Sequence, residues 1–136
     1  MTLTPDAVNA AIAELFPGSD MPCVELGPQH ATVRREVAGV GLRPGGFVSG
    51  PFQFAAADAA LWYAVFGALD EVVPMALTSE LSIRYLRPAQ GDVLWARSEL
   101  HAVGRRNAVG TIRMWMDDSD DRPVSVAQGT YVLPAR

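Results

Sequence analysis

The chain has 136 residues, 49% of them hydrophobic and 19% charged, and its formal net charge at pH 7 is −4. This length suits one domain, 1–136, with a moderate core, and the apolar excess indicates an oligomer that buries surface between subunits. A negative chain without a basic run is not expected to bind nucleic acid. Cys23 is the only cysteine, which excludes an intrachain disulfide and a cysteine-based metal site.

A short helix at about residues 4–16 is the first predicted element. Thr4 suits its N-cap and Pro5 its first turn, and apolar residues then recur near helical spacing. The same segment lacks the basic region and the long apolar region of a secretory signal. We therefore expect a cytoplasmic protein.

Two short strands at 23–26 and 30–37 are predicted next, and a flexible glycine-rich loop over 39–46 connects them to a central segment. This segment, from about 51 to 69, is rich in Ala, Leu and aromatic residues and predicts a long helix. Because it is apolar on nearly every face, the pattern indicates burial on all sides. With Asp58 in its middle, it is too short for a membrane span of roughly 20 apolar residues.

Four strands with alternating residue types are predicted after the central helix. The first begins at Leu77, and its alternation puts Thr78 on the same face as Glu80 and opposite Leu81. The last covers residues 124–133. One antiparallel sheet wrapped around the central helix satisfies this order of elements, which makes the predicted fold class α+β.

Two pieces of the chain are similar to a known family. The run "GGFVSGPFQFAAADAA" and the strand ending "IRYLRP" before "GD" resemble the hotdog-fold acyl-CoA thioesterases of the phenylacetate-degradation type. The resemblance extends from near Arg43 to the C-terminus. It implies a hotdog fold and hydrolysis of an acyl-CoA thioester, with coenzyme A as part of the substrate and no further cofactor. His30 and His101 are far apart and outside any ligand spacing, so we expect no metal site.

The resemblance implies catalytic roles for four residues. Asp58 matches an acidic residue that acts as general base on water or attacks the thioester directly. Gly50 matches a glycine whose backbone N–H binds the thioester oxygen, where a helix N-terminus stabilises negative charge. Thr78 matches a hydroxyl that the partner subunit offers to position water or carboxylate. Ser49 replaces the histidine of the usual His-Gly-Gly turn, and it also suits the N-cap of the helix.

The expected substrate-binding residues are apolar or basic. Where many members of the family have an asparagine, this chain has an arginine, and a proline without an N–H follows Gly50 and leaves it as the principal oxyanion donor. Arginines at turns are suited to the phosphates of coenzyme A, and nearby aromatic residues to an acyl group. The expected set is Arg43, Pro51, Phe54, Arg87, Arg105 and Arg106.

Three functions remain open at this point. The leading one is hydrolysis of a medium-chain or aromatic acyl-CoA, and the main alternative is acyl-CoA binding without catalysis. A hydratase or dehydratase normally uses a histidine beside its acid, and none lies between His30 and His101. The alternative for Asp58 is a purely structural role, in which its carboxylate points into solvent or hydrogen-bonds a neighbouring backbone group. In each case we expect a dimer with shared sites, paired into a tetramer, because a lone sheet would expose a long strand edge.

Overall fold

The structure is a computed structural model that describes residues 1–39 and 41–135. Within those residues the chain forms two helices and eight strands. In chain order they are α1 (Pro5–Leu15), β1 (Cys23–Leu26), β2 (His30–Glu36), β3 (Leu42–Arg43), β4 (Phe47–Val48), α2 (Gly50–Leu69), β5 (Leu77–Tyr85), β6 (Val93–Val103), β7 (Asn107–Met116) and β8 (Ser125–Val132). The predicted loop over 39–46 contains β3, which pairs with β4, and its Val40 lies outside the described residues.

Six of the strands form one antiparallel sheet in the order β1-β2-β6-β7-β8-β5. Helix α2 packs across one face of this sheet, mainly against β2 and β6. The strand after α2 returns to the far edge of the sheet, so β1 and β5 are its two edges. The predicted α+β hotdog fold, an antiparallel sheet around one long central helix, is confirmed.

A pair of glycines allows α2 to lie close to the sheet. Gly110 in β7 and Gly129 in β8 are directly opposite each other. A Cβ atom on Gly110 would lie 2.8 Å from a methyl carbon of Leu61, and one on Gly129 would lie 3.1 Å from the other methyl carbon. The fully buried Leu61 side chain of α2 therefore fills the space that these two glycines leave.

One stripe of α2 remains uncovered. Twelve of its residues are buried. In its N-terminal half, residues that are not buried recur at helical spacing and therefore lie along one side of the helix. The stripe consists of Pro51, Phe54, Ala55, Asp58 and Trp62. The prediction of burial on all sides is wrong here, because a sheet on one side and α1 cannot enclose a helix completely. Asp58 is the only ionisable residue of this open stripe.

The sequence prediction that the central helix is too short for a membrane span is wrong, because the 20 residues of α2 have the length and hydropathy that a span requires. Its most apolar window has a mean hydropathy of 1.3, and 67% of that window is buried inside the fold. A buried core helix passes the same test, so this property is weak evidence for a span.

Helix α1 is held by polar contacts from its middle to β1 and from the residues before it to the end of α2. The Asn9 side chain bonds both backbone groups of Cys23 at 2.8 Å. The carboxylate of Asp70, the C-cap of α2, accepts hydrogen bonds from the backbone N–H groups of Leu3 and Thr2. These two N–H groups lower the pKa of Asp70 below its ordinary value. Burial raises the pKa of Cys23 to about 11, which suits a structural thiol rather than a nucleophile.

A β-bulge in β5 changes the direction of Thr78. Residues Thr78 and Glu80 face the consecutive β8 residues Tyr131 and Thr130, so Ser79 is an extra residue in the ladder. A bulge of this kind reverses the alternation of side chains. The sequence prediction that Thr78 shares a face with Glu80 is therefore wrong, and Thr78 points toward α2, where its hydroxyl reaches Asp58.

Candidate active site

Two hydroxyl groups fix the carboxylate of Asp58. Its Oδ1 atom accepts a hydrogen bond of 2.8 Å from Thr78 Oγ1 and one of 2.6 Å from the Tyr131 hydroxyl. The same Tyr131 hydroxyl lies 3.1 Å from the backbone carbonyl oxygen of Asp58 and donates to it as well. Within residues 1–39 and 41–135, Oδ2 of Asp58 has no hydrogen-bond partner. The carboxylate is thus held by one oxygen and presents the other.

The two donors reach Asp58 because they are opposite each other in the sheet. Thr78 in β5 pairs with Tyr131 in β8, and both face α2. Tyr131 is only 3% exposed. Burial raises its pKa well above the ordinary tyrosine value, and the charge of Asp58 adds to the effect. The Tyr131 hydroxyl is therefore protonated at any physiological pH and acts as a donor.

Sequence reasoning placed Thr78 in the site but missed Tyr131. The family resemblance supplied Thr78, although as a group from the partner subunit, whereas here its hydroxyl contacts Asp58 of its own chain. The sequence feature that could have identified Tyr131 as a site residue is its position in β8, where it lies on the opposite face from Val126 and Thr130. A tyrosine on the core face of a strand needs a partner for its hydroxyl, and Asp58 is a polar group of the core helix that can accept its hydrogen bond.

The first turn of α2 leaves one free backbone donor. The Phe52 N–H donates to Ser49 Oγ at 3.3 Å, and the Gln53 N–H donates to the Ser49 carbonyl at 3.2 Å. Pro51 has no N–H. Among the described residues, the N–H of Gly50 has no partner. Ser49 thus acts as the helix cap, and Gly50 is the donor of this turn that remains for a ligand.

An open cavity of about 460 Å³ adjoins this helix start. Gly50, Arg43 and Arg87 all line it, so the structure brings these three predicted site residues together. Tyr85 lines it as well, and a Cβ atom on Gly50 would lie 2.8 Å from the Tyr85 hydroxyl. Partial burial raises the pKa of Tyr85, so this hydroxyl is also a donor near Gly50. Sequence reasoning did not single out Tyr85.

The other two predicted arginines lie elsewhere. Arg105 and Arg106, in the turn between β6 and β7, line a separate depression with Leu69 at the C-terminal end of α2. A helix from Gly50 to Leu69 is about 30 Å long. In one chain, Arg105 and Arg106 are therefore far from the free N–H of Gly50.

A largely apolar cavity of about 440 Å³ lies beside Asp58. It extends between α2 and the end of α1, and its lining includes Asp58, Trp62, Tyr63, Tyr131, Ile12 and Phe16. The rings of Phe16 and Trp62 form an edge-to-face pair with centroids 5.9 Å apart. The predicted Phe54 lies on the open stripe of α2 instead, and it is 38% exposed.

A larger groove of about 720 Å³ lies on the outer face of the sheet. It is lined by polar and charged residues such as Arg84, Arg113 and Gln128. Because α2 packs on the opposite face, this groove includes neither Asp58 nor Gly50.

Asp58 and Gly50 are separated along the same helix. Asp58 follows Gly50 by eight residues, which corresponds to about 12 Å along the axis. A donor that binds a carbonyl oxygen and a base that activates water for the same carbonyl must both lie within about 3 Å of the reacting atoms. One chain therefore does not present both groups to a single thioester.

Comparison with protein-family models matches residues 45–122, more than half of the chain, to the thioesterase superfamily. The chain belongs to the thioesterase superfamily. This thioesterase is 31% identical to a protein from Silicibacter sp. TM1040 that is assigned as a thioesterase, with a TM-score of 0.87. That alignment covers 98% of this chain and 94% of the other. The comparison with curated proteins gave no match.

Two more distant structures resemble this thioesterase in fold. Thioesterase superfamily member 2 from zebra fish is 16% identical, with a TM-score of 0.82, and the alignment covers 98% of this chain and all 100% of the other. A mutant of the phenylacetic acid degradation protein PaaI from Thermus thermophilus is 22% identical, with a TM-score of 0.73. That alignment covers 91% of this chain and 99% of the other.

The family assignment makes the protein an acyl-thioester hydrolase of the hotdog fold. The family match ends at residue 122, so it includes Gly50, Asp58 and Thr78 but not Tyr131. Within the described part of this thioesterase, no group of three His, Cys, Asp or Glu residues is arranged to hold a metal ion.

Proposed function

We propose that this thioesterase hydrolyses acyl-CoA with a medium-chain or aromatic acyl group, and that Asp58 either activates the attacking water or attacks the thioester itself. The observation that carries the proposal is the Asp58 carboxylate itself. It lies on the open stripe of α2, it is held at Oδ1 by Thr78 and Tyr131, and it adjoins an apolar cavity. A carboxylate in this position is accessible to substrate and has a fixed orientation, as a general base or nucleophile requires.

Two routes use the same groups. In the first, Asp58 takes a proton from water as the water oxygen bonds to the thioester carbon. In the second, an Asp58 oxygen bonds to that carbon, and water then hydrolyses the anhydride. In both routes the C–S bond breaks, the leaving thiolate of coenzyme A takes up a proton that comes from water and becomes the thiol, and the carboxylic acid is released. Negative charge on the carbonyl oxygen is stabilised by the free N–H of Gly50.

The separation of Asp58 from Gly50 supports a site that two subunits share. In this arrangement Asp58 of one subunit faces Gly50 of the partner subunit across a two-fold axis. Edge strand β5 is unpaired on one side, and large apolar residues around it and around the start of α2 are exposed. They are Phe47, Phe54, Met75, Leu77 and Tyr85. We propose a dimer that covers this surface and pairs into a tetramer.

Coenzyme A is recognised in this proposal by arginines and enters as substrate only. Arg43 and Arg87 lie beside Gly50, where the thioester binds, and are suited to the carbonyl oxygens of the pantetheine arm. Arg105 and Arg106 lie near Leu69, about 16 Å along α2 from Asp58, a distance that the pantetheine arm spans, and are suited to the phosphates of coenzyme A. Pro51 and Phe54 would border the acyl group. We also infer a cytoplasmic location, with no membrane or nucleic-acid partner and no resident cofactor.

The test is a thiol-release assay with purified protein. The panel extends from acetyl-CoA to palmitoyl-CoA and includes phenylacetyl-CoA. We expect the highest kcat/KM with medium-chain or aromatic acyl groups. Binding of these compounds without thiol release would instead support an acyl-CoA-binding protein without catalysis. Two observations favour this alternative: Ser49 acts as a helix cap, and Pro51 has no N–H to donate.

Truncation of Phe16 is expected to change the acyl preference. In the Phe16→Ala variant, one wall of the 440 Å³ cavity is removed, so kcat/KM for medium-chain acyl-CoA should fall about tenfold. The value for acetyl-CoA should stay within about twofold, because a short acyl group does not reach this wall. Leu15→Ala is the matched control, since Leu15 is the exposed last residue of α1, directly before Phe16, and does not line the cavity. Equal losses for short and medium-chain substrates would contradict this assignment of the acyl site.

A further inference from the structure

We infer that Tyr131 is a positioning residue for hydrolysis: with Thr78 it occupies Oδ1 of Asp58, so that Oδ2 is the oxygen that meets water or the thioester. The inference rests on the proposed function, because it assigns roles to the two oxygens of the proposed base. It adds a residue of β8, beyond the segment that the family model matches.

The two oxygens of the Asp58 carboxylate differ in the hydrogen bonds that they accept. Each carboxylate oxygen has about two lone-pair sites. Thr78 and Tyr131 both donate to Oδ1, at 2.8 and 2.6 Å, so both sites of this oxygen are occupied. Among residues 1–39 and 41–135, no donor reaches Oδ2. The free lone pairs that can accept a proton or attack a carbon are therefore those of Oδ2.

The Tyr131 hydroxyl is held in a fixed position. Its ring is almost completely buried, and its hydroxyl bridges two oxygens of the same residue, Oδ1 at 2.6 Å and the backbone carbonyl of Asp58 at 3.1 Å. This bridge connects the side chain of Asp58 to the helix backbone and so restricts rotation about its side-chain bonds. A supporting hydrogen bond of this type fixes the orientation of a reactive group before substrate binds.

Tyr63 provides a matched comparison within the same fold. Its hydroxyl donates to the backbone carbonyl of Met21 at 2.9 Å, and its ring is also buried beside the apolar cavity. In the described part of the chain it makes no hydrogen bond to Asp58. Loss of the Tyr63 hydroxyl removes one hydrogen bond from the same part of the core, whereas loss of the Tyr131 hydroxyl removes its contacts with two oxygens of Asp58 and so changes the surroundings of the carboxylate.

The experiment compares Tyr131→Phe with Tyr63→Phe in steady-state thiol release. In Tyr131→Phe we expect kcat to fall by about tenfold to one hundredfold, as for loss of a hydrogen bond to a charged group. KM should stay within about twofold, because the cavities that bind substrate are retained. In Tyr63→Phe kcat should fall less than in Tyr131→Phe, because both hydroxyl donors of the Asp58 carboxylate are retained.

A spectroscopic signature tests the contact without turnover. A buried hydroxyl that donates a short bond to a carboxylate gives a slowly exchanging, downfield proton resonance. We expect this resonance in the wild type and in Tyr63→Phe, its loss from Tyr131→Phe, and its upfield shift in Asp58→Asn, where a neutral amide oxygen accepts a weaker hydrogen bond. Its absence from the wild type, or its persistence in Tyr131→Phe, would overturn the inference.

The possible failures are distinguishable. An active wild type whose kcat is unchanged in Tyr131→Phe overturns the role of Tyr131 and leaves the proposed function intact. An inactive wild type that shows the resonance overturns the proposed function, while the positioning of Asp58 by Tyr131 stands.

Discussion

Replacement of Asp58 by asparagine is expected to lower kcat for acyl-CoA hydrolysis by about 10²- to 10⁴-fold, the usual contribution of a general base. The amide keeps the size of the side chain, and its carbonyl oxygen still accepts the hydrogen bonds of Thr78 and Tyr131. It takes up no proton from water and is a poor nucleophile. Steady-state thiol release gives kcat and KM, and we expect KM to change little because the cavities that bind substrate are retained.

Asp118→Asn is the control for this substitution. Asp118 is an exposed carboxylate in the loop between β7 and β8, and its loss makes the same change in net charge. Its kcat should equal that of the wild type. Comparable activity of Asp58→Asn and wild type would refute the assignment of Asp58 as base or nucleophile.

Loss of the free N–H of Gly50 is expected to lower kcat almost as much as loss of the Asp58 carboxylate. Gly50→Pro removes this donor and should lower kcat by about 10²- to 10³-fold, the typical cost of one oxyanion donor. Proline is compatible with the first position of a helix, and Ser49 already has the extended backbone, with ψ of 155°, that a following proline requires.

Gly50→Ala separates the donor from the space around it. Both substitutions place a Cβ atom near the Tyr85 hydroxyl, a mobile group that is able to shift. Only proline lacks the N–H, so the difference in kcat between the two variants measures the donor itself. If Gly50→Ala is as impaired as Gly50→Pro, the effect is steric and the oxyanion role of Gly50 is wrong.

The features that were predictable from the sequence are those that local patterns determine. The long apolar run was predicted as a helix from about 51 to 69, and it occupies Gly50–Leu69. Its start was recognisable because Ser49 and Pro51 are typical of a cap and a first turn. In β6 and β7, the alternation of residue types along the sequence also distinguished the buried side chains from the exposed ones. The fold class followed from this order of elements.

The missed features depend on how the elements meet in three dimensions. A single extra residue, Ser79, reverses the direction of Thr78, and no composition signal marks such a bulge. The role of Tyr131 depends on its register opposite Thr78, which a sequence does not specify. The four predicted arginines looked equivalent in the chain, but Arg43 and Arg87 belong to one end of α2, while the other pair belongs to the opposite end.

The substitution of Ser49 for the usual histidine is the clearest departure from the family pattern. Its hydroxyl accepts the Phe52 N–H and thereby occupies a donor that would otherwise be free. In the proposed mechanism, this departure leaves oxyanion binding to Gly50 and the chemistry of the attack to the carboxylate of Asp58.

A mixture of two inactive variants tests most directly whether Asp58 of one subunit acts on a thioester bound at Gly50 of the other. Asp58→Asn and Gly50→Pro are unfolded and refolded together so that their subunits recombine. A mixed dimer then has one site with both groups intact, and random pairing should restore about one quarter of wild-type activity. Recovery to that level is the predicted result. Activity no higher than that of the separate variants, in a mixture shown to contain mixed dimers, would contradict a shared site.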